Sequence, residues 1–306
     1  IHCLRMADFA HAHTICYATM NSDHALVKEH IRAGGRAVVL ERGMNGDMIT
    51  IYNNGMHLPV LWSHLIPATF EGKASYNVQN AMFAAAMAFS FGVDLDNIRH
   101  GLRTFDTSFF QVPGRTNVFD EHPFKVILDY AHNPAAFTAL SGLVDQLDVT
   151  GRRIFVVSVP GDRRDEDVAT AAKILSKHFD IFVCKADANR RGRGYDEIPN
   201  MMRDNLIKEG VSPEMIHVMP DEPVALDFAL NLATDGDLLV INGDDTVRCW
   251  KQIIYFKNPN RSEQAATSTK PRPVVVGMED LITDADTLIR DERGVRLARN
   301  SGEGGD

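Results

Sequence analysis

Short apolar runs alternate with polar turns along most of this chain, and their rhythm changes near Pro113-Gly114. Before that point, runs at residues 37–40, 48–52 and 58–62 are separated by Asn45-Gly46 and Asn54-Gly55. Such dipeptides favour tight hairpin turns, so the stretch predicts a small antiparallel meander. Residues 77–91 are alanine-rich and proline-free and end at Gly92, which predicts a helix with a glycine just past its last turn. A shorter helix is expected over 95–105.

After Pro113-Gly114 the pattern becomes strand, loop, helix, repeated. Apolar runs at 125–130, 153–159, 181–185, 216–218 and 237–242 predict strands, and the intervening segments 134–147, 165–179, 198–209 and 221–234 predict helices. That alternation predicts an α/β fold with a mostly parallel sheet covered on both faces. Ligands in such sheets bind in the loops at the carboxyl ends of the strands. Beyond Phe256 the chain turns to Asn, Ser, Thr, Pro and charge, which reads as a linker; 273–277 could form one more strand, and the glycine-rich 301–306 reads as a disordered end. The expected organisation is a first part over 1–112, a domain over 113–258, and a linker and tail over 259–306.

Composition narrows the function classes. The 306 residues are 44% hydrophobic and carry a net charge of -9 from interspersed acids and bases, which argues against a broad basic face for nucleic acid. No apolar run approaches the roughly 18 residues that a membrane-spanning helix needs. Cys3, Cys16, Cys184 and Cys249 lack metal-ligand spacing, so no metal site is expected from them, and a reduced cytoplasmic protein is the simplest reading. The chain opens on Ile1 with no signal-peptide pattern, which suggests a true start further upstream.

Four loops at predicted strand ends carry more polar chemistry than a turn requires. Asp129-Tyr130-Ala131-His132-Asn133-Pro134 lies between a strand and a helix. Asp129 could hold a cation or its water, and His132 and Asn133 stand at a helix start suited to anions. An Asn133 cap followed by Pro134 in the first turn would explain two of the six residues structurally. In the second loop, 161–167, Gly161 permits close backbone approach and Arg163 or Arg164 could bind a phosphate or carboxylate; a solvated charge cluster reads equally from the acids at 165–167. The third, 187–194, sets Arg190, Arg191 and Arg193 within four positions, which suits carboxylate capture or a mobile basic loop. The fourth, 242–245, could be a simple turn. None of the four holds a nucleophile and base pair or a complete phosphate-binding loop.

Taken in order, these loops resemble the Mur ligase family, which joins amino acids to carboxylates through an acyl phosphate. Pro113-Gly114-Arg115 looks like its interdomain P-G-R, Asp129–Pro134 is a full D-Y-A-H-N-P, and Gly161-Asp162-Arg163 looks like its G-D-R. Asp187–Arg190, reading D-A-N-R, is similar to the family's D-N-P-R loop. Asn77-Val78-Gln79-Asn80-Ala81 resembles the N-x-x-N-A segment of the central ATPase domain. Gly34–Val38, 161–167 and the R-G-R within 187–194 point, inside that family, to the branch that makes the arginine-bearing aspartate polymer cyanophycin.

The resemblance implies a Rossmann-like carboxyl-terminal domain preceded by the end of the central ATPase domain, in a cytoplasmic homo-oligomer that uses ATP and Mg2+. It further implies that arginine is attached to the side chains of an aspartate-based polymer, with no nucleic-acid or membrane partner. Arg115, Asp129 and His132 would carry catalysis, and Asn77, Asn80, Arg115, Asp129 and Asn133 would face the nucleotide. Asp162, Arg163, Asp187, Asn189 and Arg190 would face the substrate, with Arg190 on the α-carboxylate of the incoming amino acid. Asp162, Asp187 or Asp244 would take its guanidinium, while Arg191 and Arg193 would be mobile loop charges. No G-x-x-G-K-[ST] loop occurs from Ile1 to Asp306. The expectation is therefore a segment without its phosphate loop or main magnesium ligands, inactive alone and completed by upstream P-loop and ATP-grasp regions of the same polypeptide. A folylpolyglutamate or peptidoglycan-precursor synthetase, or a non-catalytic scaffolding module, are the competing readings.

Overall fold

The computed structural model describes residues 14–257 and the backbone of two strands at 286–291 and 294–299. Two compact units are distinguished, residues 1–257 and 258–306. In the second, β11 (Asp286–Asp291) and β12 (Gly294–Arg299) pair antiparallel, a hairpin that the sequence pattern did not suggest. The strand expected at 273–277 and the glycine-rich end lie outside the described residues.

The first unit opens with a four-stranded sheet in which β1 (Cys16–Thr19), β2 (Arg36–Gly43), β3 (Gly46–Asn53) and β4 (Met56–Trp62) lie in that order. β2, β3 and β4 form the expected antiparallel meander. Asn54 and Gly55 both adopt positive φ (49° and 76°), the requirement of a type I′ hairpin turn. β1 was not foreseen; it pairs parallel to β2 and reaches it through the helix Ala25–Arg32. Val38, Leu40, Ile49, Ile51 and Val60 face a core completed by the helices Ser75–Ser90 and Leu95–Thr104.

The larger sheet has the order β5 (Asn117–Phe119), β6 (Lys125–Asp129), β10 (Leu238–Asn242), β7 (Arg153–Val157), β8 (Ile181–Cys184), β9 (Ile216–Val218). All neighbours run parallel except the short edge strand β5. The apolar runs are continuous because both faces are covered. Ile127, Phe155, Phe182 and Val240 pack beneath the helices Pro134–Val144, Asp165–Leu175 and Glu197–Lys208. Val126, Leu128, Ile154, Val156 and Ile241 pack against Glu222–Leu232 and Thr246–Tyr255. β10 returns between β6 and β7, so the carboxyl ends of these three strands open side by side, the usual place for a ligand in a sheet of this kind.

Candidate active site

Asp129 closes β6 directly opposite Asn242, which closes β10. Its Oδ2 accepts the backbone N–H and the hydroxyl of Thr116, each at 2.8 Å. Thr116 reaches this position with φ 50°, a left-handed conformation that is uncommon for a β-branched side chain and marks a constrained site. The Tyr76 hydroxyl lies 2.9 Å from Thr116 Oγ1. Because Thr116 directs its proton to Asp129, Tyr76 donates to Thr116, and a hydrogen-bonded chain runs Tyr76, Thr116, Asp129. Burial pushes the Asp129 carboxyl above its ordinary pKa, against the Thr116 donors and the Arg115 guanidinium. Burial likewise pushes the Tyr76 phenol up.

This chain borders a cavity of about 860 Å3. Asn77, Asn80, Arg115, Asp129, His132 and Asn133 all line it, on a wall otherwise built largely from apolar residues such as Ala81, Ala85, Ile98 and Leu102. Asn77 donates to the Ala68 carbonyl at 2.7 Å and accepts from Asn80 at 3.1 Å, which fixes both amides on the first turns of the helix Ser75–Ser90. Asn133 caps the helix Pro134–Val144, accepting from Ala136 N–H at 2.9 Å, so its structural role is real as well as its place on the cavity. His132 Nδ1 lies 3.0 Å from the Tyr130 carbonyl. A carbonyl only accepts, so Nδ1 is the donor of this contact and Nε2 is the ring nitrogen left for a ligand. The exposed Arg115 guanidinium lies over the Tyr130 ring at 5.7 Å and makes no ion pair among the described residues.

The five residues expected to face the substrate do not line this cavity; they form a second cluster at the ends of β7 and β8. Gly161 is indispensable there, because a Cβ on it would collide with the Arg190 carbonyl. Asp187 accepts from Asn189 N–H at 2.7 Å and Asn189 accepts from Arg191 N–H at 3.2 Å, successive side-chain turns that shape the loop. Arg190 lies over the Tyr195 ring at 5.7 Å. Neither Arg190 nor Arg163 makes an ion pair among the described residues, and Arg163 Nε is buried without a partner.

Three expectations are corrected. Arg193 is not a mobile charge: it donates to the carbonyls of Gly161 and Arg163, both at 2.9 Å, and pairs with Asp165 and Glu197. Arg191 pairs with Asp162, so neither is a free loop charge. Asp244 is already held by Lys185 at 2.9 Å, which leaves Asp187 as the one of the three acidic candidates without an ion-pair partner among the described residues.

The residue pattern missed Tyr76, Thr116 and Lys185, and it left Asn242 in the fourth loop with no role beyond a turn. Asn242 donates to the Ala131 carbonyl at 2.5 Å and accepts from Ser158 N–H at 3.2 Å, so it ties the first loop to the end of β7. Lys185 was legible in principle, since a lysine ending the apolar run 181–184 signals a buried ion pair. Thr116 and Tyr76, 40 residues apart, carried no such signal.

Residues 114–244 match the family model described as Mur ligase, glutamate ligase domain. The chain is 34% identical over 245 residues to the cyanophycin synthetase of Crocosphaera subtropica and 37% identical over 243 residues to that of a Nostoc species. These alignments cover 80% and 78% of this chain but 27% and 26% of the relatives, so the chain spans about a quarter of their length. Its fold is shared with Mycobacterium tuberculosis folylpolyglutamate synthase, solved in complex with ADP and AMPPCP: TM-score 0.52 and 20% identity, covering 76% of this chain and 52% of that one.

Proposed function

We propose, from the match of residues 114–244 to the family model described as Mur ligase, glutamate ligase domain, that this chain is part of an ATP-dependent ligase that forms amide bonds, adding arginine to the aspartate side chains of a cyanophycin-type polymer. The observation that carries the reading is the convergence of Asn77, Asn80, Arg115, Asp129, His132 and Asn133, from two separated stretches of sequence, on one cavity. Residues 1–112 are then the last part of a central ATPase domain and 113–258 the carboxyl-terminal domain, in a cytoplasmic homo-oligomer.

The cavity fits a nucleotide in size and chemistry. About 860 Å3 falls within the range of roughly 300–1,000 Å3 usual for small-ligand sites. Its apolar wall suits a base, and Arg115 with the first turn of the helix Pro134–Val144 suits phosphates. ATP supplies the phosphoryl group that activates the acceptor carboxylate as an acyl phosphate. Arg115 neutralises charge that grows on the transferring group, and Asp129, held by Thr116, orients the nucleotide or its bound water. His132 stands on the same wall. Arg190 binds the α-carboxylate of the amino acid, and its amine displaces phosphate to give the amide. The Mur ligase resemblance implies that Mg2+ would be held mainly by ligands outside this segment, where it would help to neutralise the nucleotide phosphates.

The test is ATP-dependent incorporation of radiolabelled arginine into an aspartate polymer, run on the full-length gene product and on the 306-residue chain. The full-length protein is expected to incorporate arginine and the 306-residue chain neither to do so nor to hydrolyse ATP. Turnover by the 306-residue chain, or incorporation of glutamate or diaminopimelate in place of arginine, overturns the reading.

A further inference from the structure

Lys185 is fully buried (0% exposed), at the end of β8 and outside the cavity that the proposed reaction uses. Its ammonium lies 2.9 Å from Asp244 and 3.0 Å from Glu222. Glu222 also pairs with Arg248 and accepts the backbone N–H groups of Asp244 and Asp245, at 2.8 and 3.3 Å. Arg248 also pairs with Asp245 at 3.6 Å, so two cations meet three carboxylates and the cluster has no excess positive charge to offer an anion.

Stability alone does not account for such a group. Replacing a buried ion pair by apolar residues of similar volume is often neutral or favourable, whereas removing one partner is strongly destabilising. What the cluster does have is reach: it joins the end of β8, the loop after β10 and the start of the helix Glu222–Leu232. Asp244 Oδ2 also accepts the N–H of Ala188 at 3.0 Å, inside the arginine-rich loop. The far end of that loop is fixed independently, by Arg193 on the Gly161 and Arg163 carbonyls and by the close approach of Gly161 to Arg190. Between the two anchors stands Arg190, exposed and without an ion pair among the described residues.

We propose that the buried Lys185–Asp244–Glu222 cluster is a positioning device that holds the 187–194 loop in the form in which Arg190 receives the carboxylate of the incoming amino acid. The proposal rests on the ligase reading above. Lys185 never touches the amino acid; it fixes Asp244, Asp244 fixes Ala188, and the two Asx turns at Asp187 and Asn189 carry that position to Arg190.

Two measurements test it. In the full-length gene product, Lys185→Met and Asp244→Ala are each expected to raise the Michaelis constant for the amino acid about tenfold, with that for ATP changing by less than about twofold. Asp244→Asn keeps an acceptor for Ala188 and is expected to recover part of the loss. In the 306-residue chain, Asp244→Ala is expected to speed hydrogen exchange at the Ala188 amide about tenfold, leaving β6 and β7 amides unchanged. If Lys185→Met does not fold, Asp244→Ala, altered at a more accessible position, carries both measurements. Amino-acid saturation and Ala188 exchange at wild-type values in the folded variants overturn the proposal, as does an equal rise for ATP. A wild-type protein that ligates no amino acid ends the ligase reading instead, whatever the variants do.

Discussion

The cavity beneath Asp129 and the arginine-rich loop after β8 treat charge in opposite ways. Around the cavity, polar groups are few, the wall is apolar, and both Arg115 and the Nε2 of His132 are left open. In the loop cluster, charge is dense and mostly spent: Arg191 on Asp162, Arg193 on Asp165 and Glu197, Lys185 on Glu222 and Asp244. Arg163 and Arg190 stand apart from that pairing. A guanidinium-rich loop is therefore not a uniform basic patch. Most of its charges build the loop, and the groups the fold leaves uncompensated are the ones available to a ligand.

Breaking the open side of this comparison should cost the most. In the full-length enzyme, Arg115→Ala and Asp129→Ala are expected to lower kcat for ligation by ~10²–10³, the usual cost of losing a preorganised donor at developing charge. Wild-type turnover in both would show that the cavity is not where phosphoryl transfer occurs. Next comes the unspent charge of the loop. Arg190→Ala removes charge-assisted hydrogen bonds worth about 1.5–3 kcal/mol, so the amino-acid Michaelis constant should rise roughly ten- to a hundredfold while that for ATP hardly moves. An unchanged arginine saturation curve would return Arg190 to the solvated face of the loop.

The closed side gives smaller, structural effects. Gly161→Ala places a Cβ against the Arg190 backbone, and overpacking of this kind typically costs about 1–3 kcal/mol, to be read as a lower urea midpoint of the 306-residue chain. An unmoved midpoint would mean that the two loops separate freely. The smallest effect separates the two regions by pH. Because burial raises the folded pKa of Asp129, its contribution to stability is full below the unfolded value of about 3.9 and is lost as pH rises through the folded one. Asp129→Asn cannot ionise, so its stability relative to wild type should improve from about pH 4 towards neutrality in denaturant titrations. A relative loss over that window would mean that the Thr116 donors outweigh burial.

Much of the fold was legible because it is local. Each strand of the larger sheet except β5 is an apolar run bounded by turn formers, and each helix from Pro134 to Leu232 follows one. The helix Thr246–Tyr255 was missed because the reading stopped at the turn 242–245, although Asp245 caps it by accepting from Arg248 N–H. β1 and β5 were not read from the pattern; each pairs along its whole length with a longer neighbour, β1 with β2 and β5 with β6. In the site, motif residues were legible one by one, but their partners were not. The link from Tyr76 to Thr116 and the bridge from Asn242 to Ala131 and Ser158 join positions far apart in sequence, and no local pattern encodes them.

The turn at Gly114 has a mechanical consequence. Gly114 sits at φ 72°, and a Cβ there would strike Thr246. Asn117, fully buried, accepts from its N–H and donates to the carbonyls of Thr107 and Val112, so the segment before Thr116 is riveted rather than slack. Tyr130 N–H bonds to the Gly114 carbonyl from the other side. A torque applied at Gly114 therefore has no slack to take up. Arg115 and Thr116 follow that turn directly, so one fixed piece of backbone sets both the guanidinium and the two donors that hold Asp129.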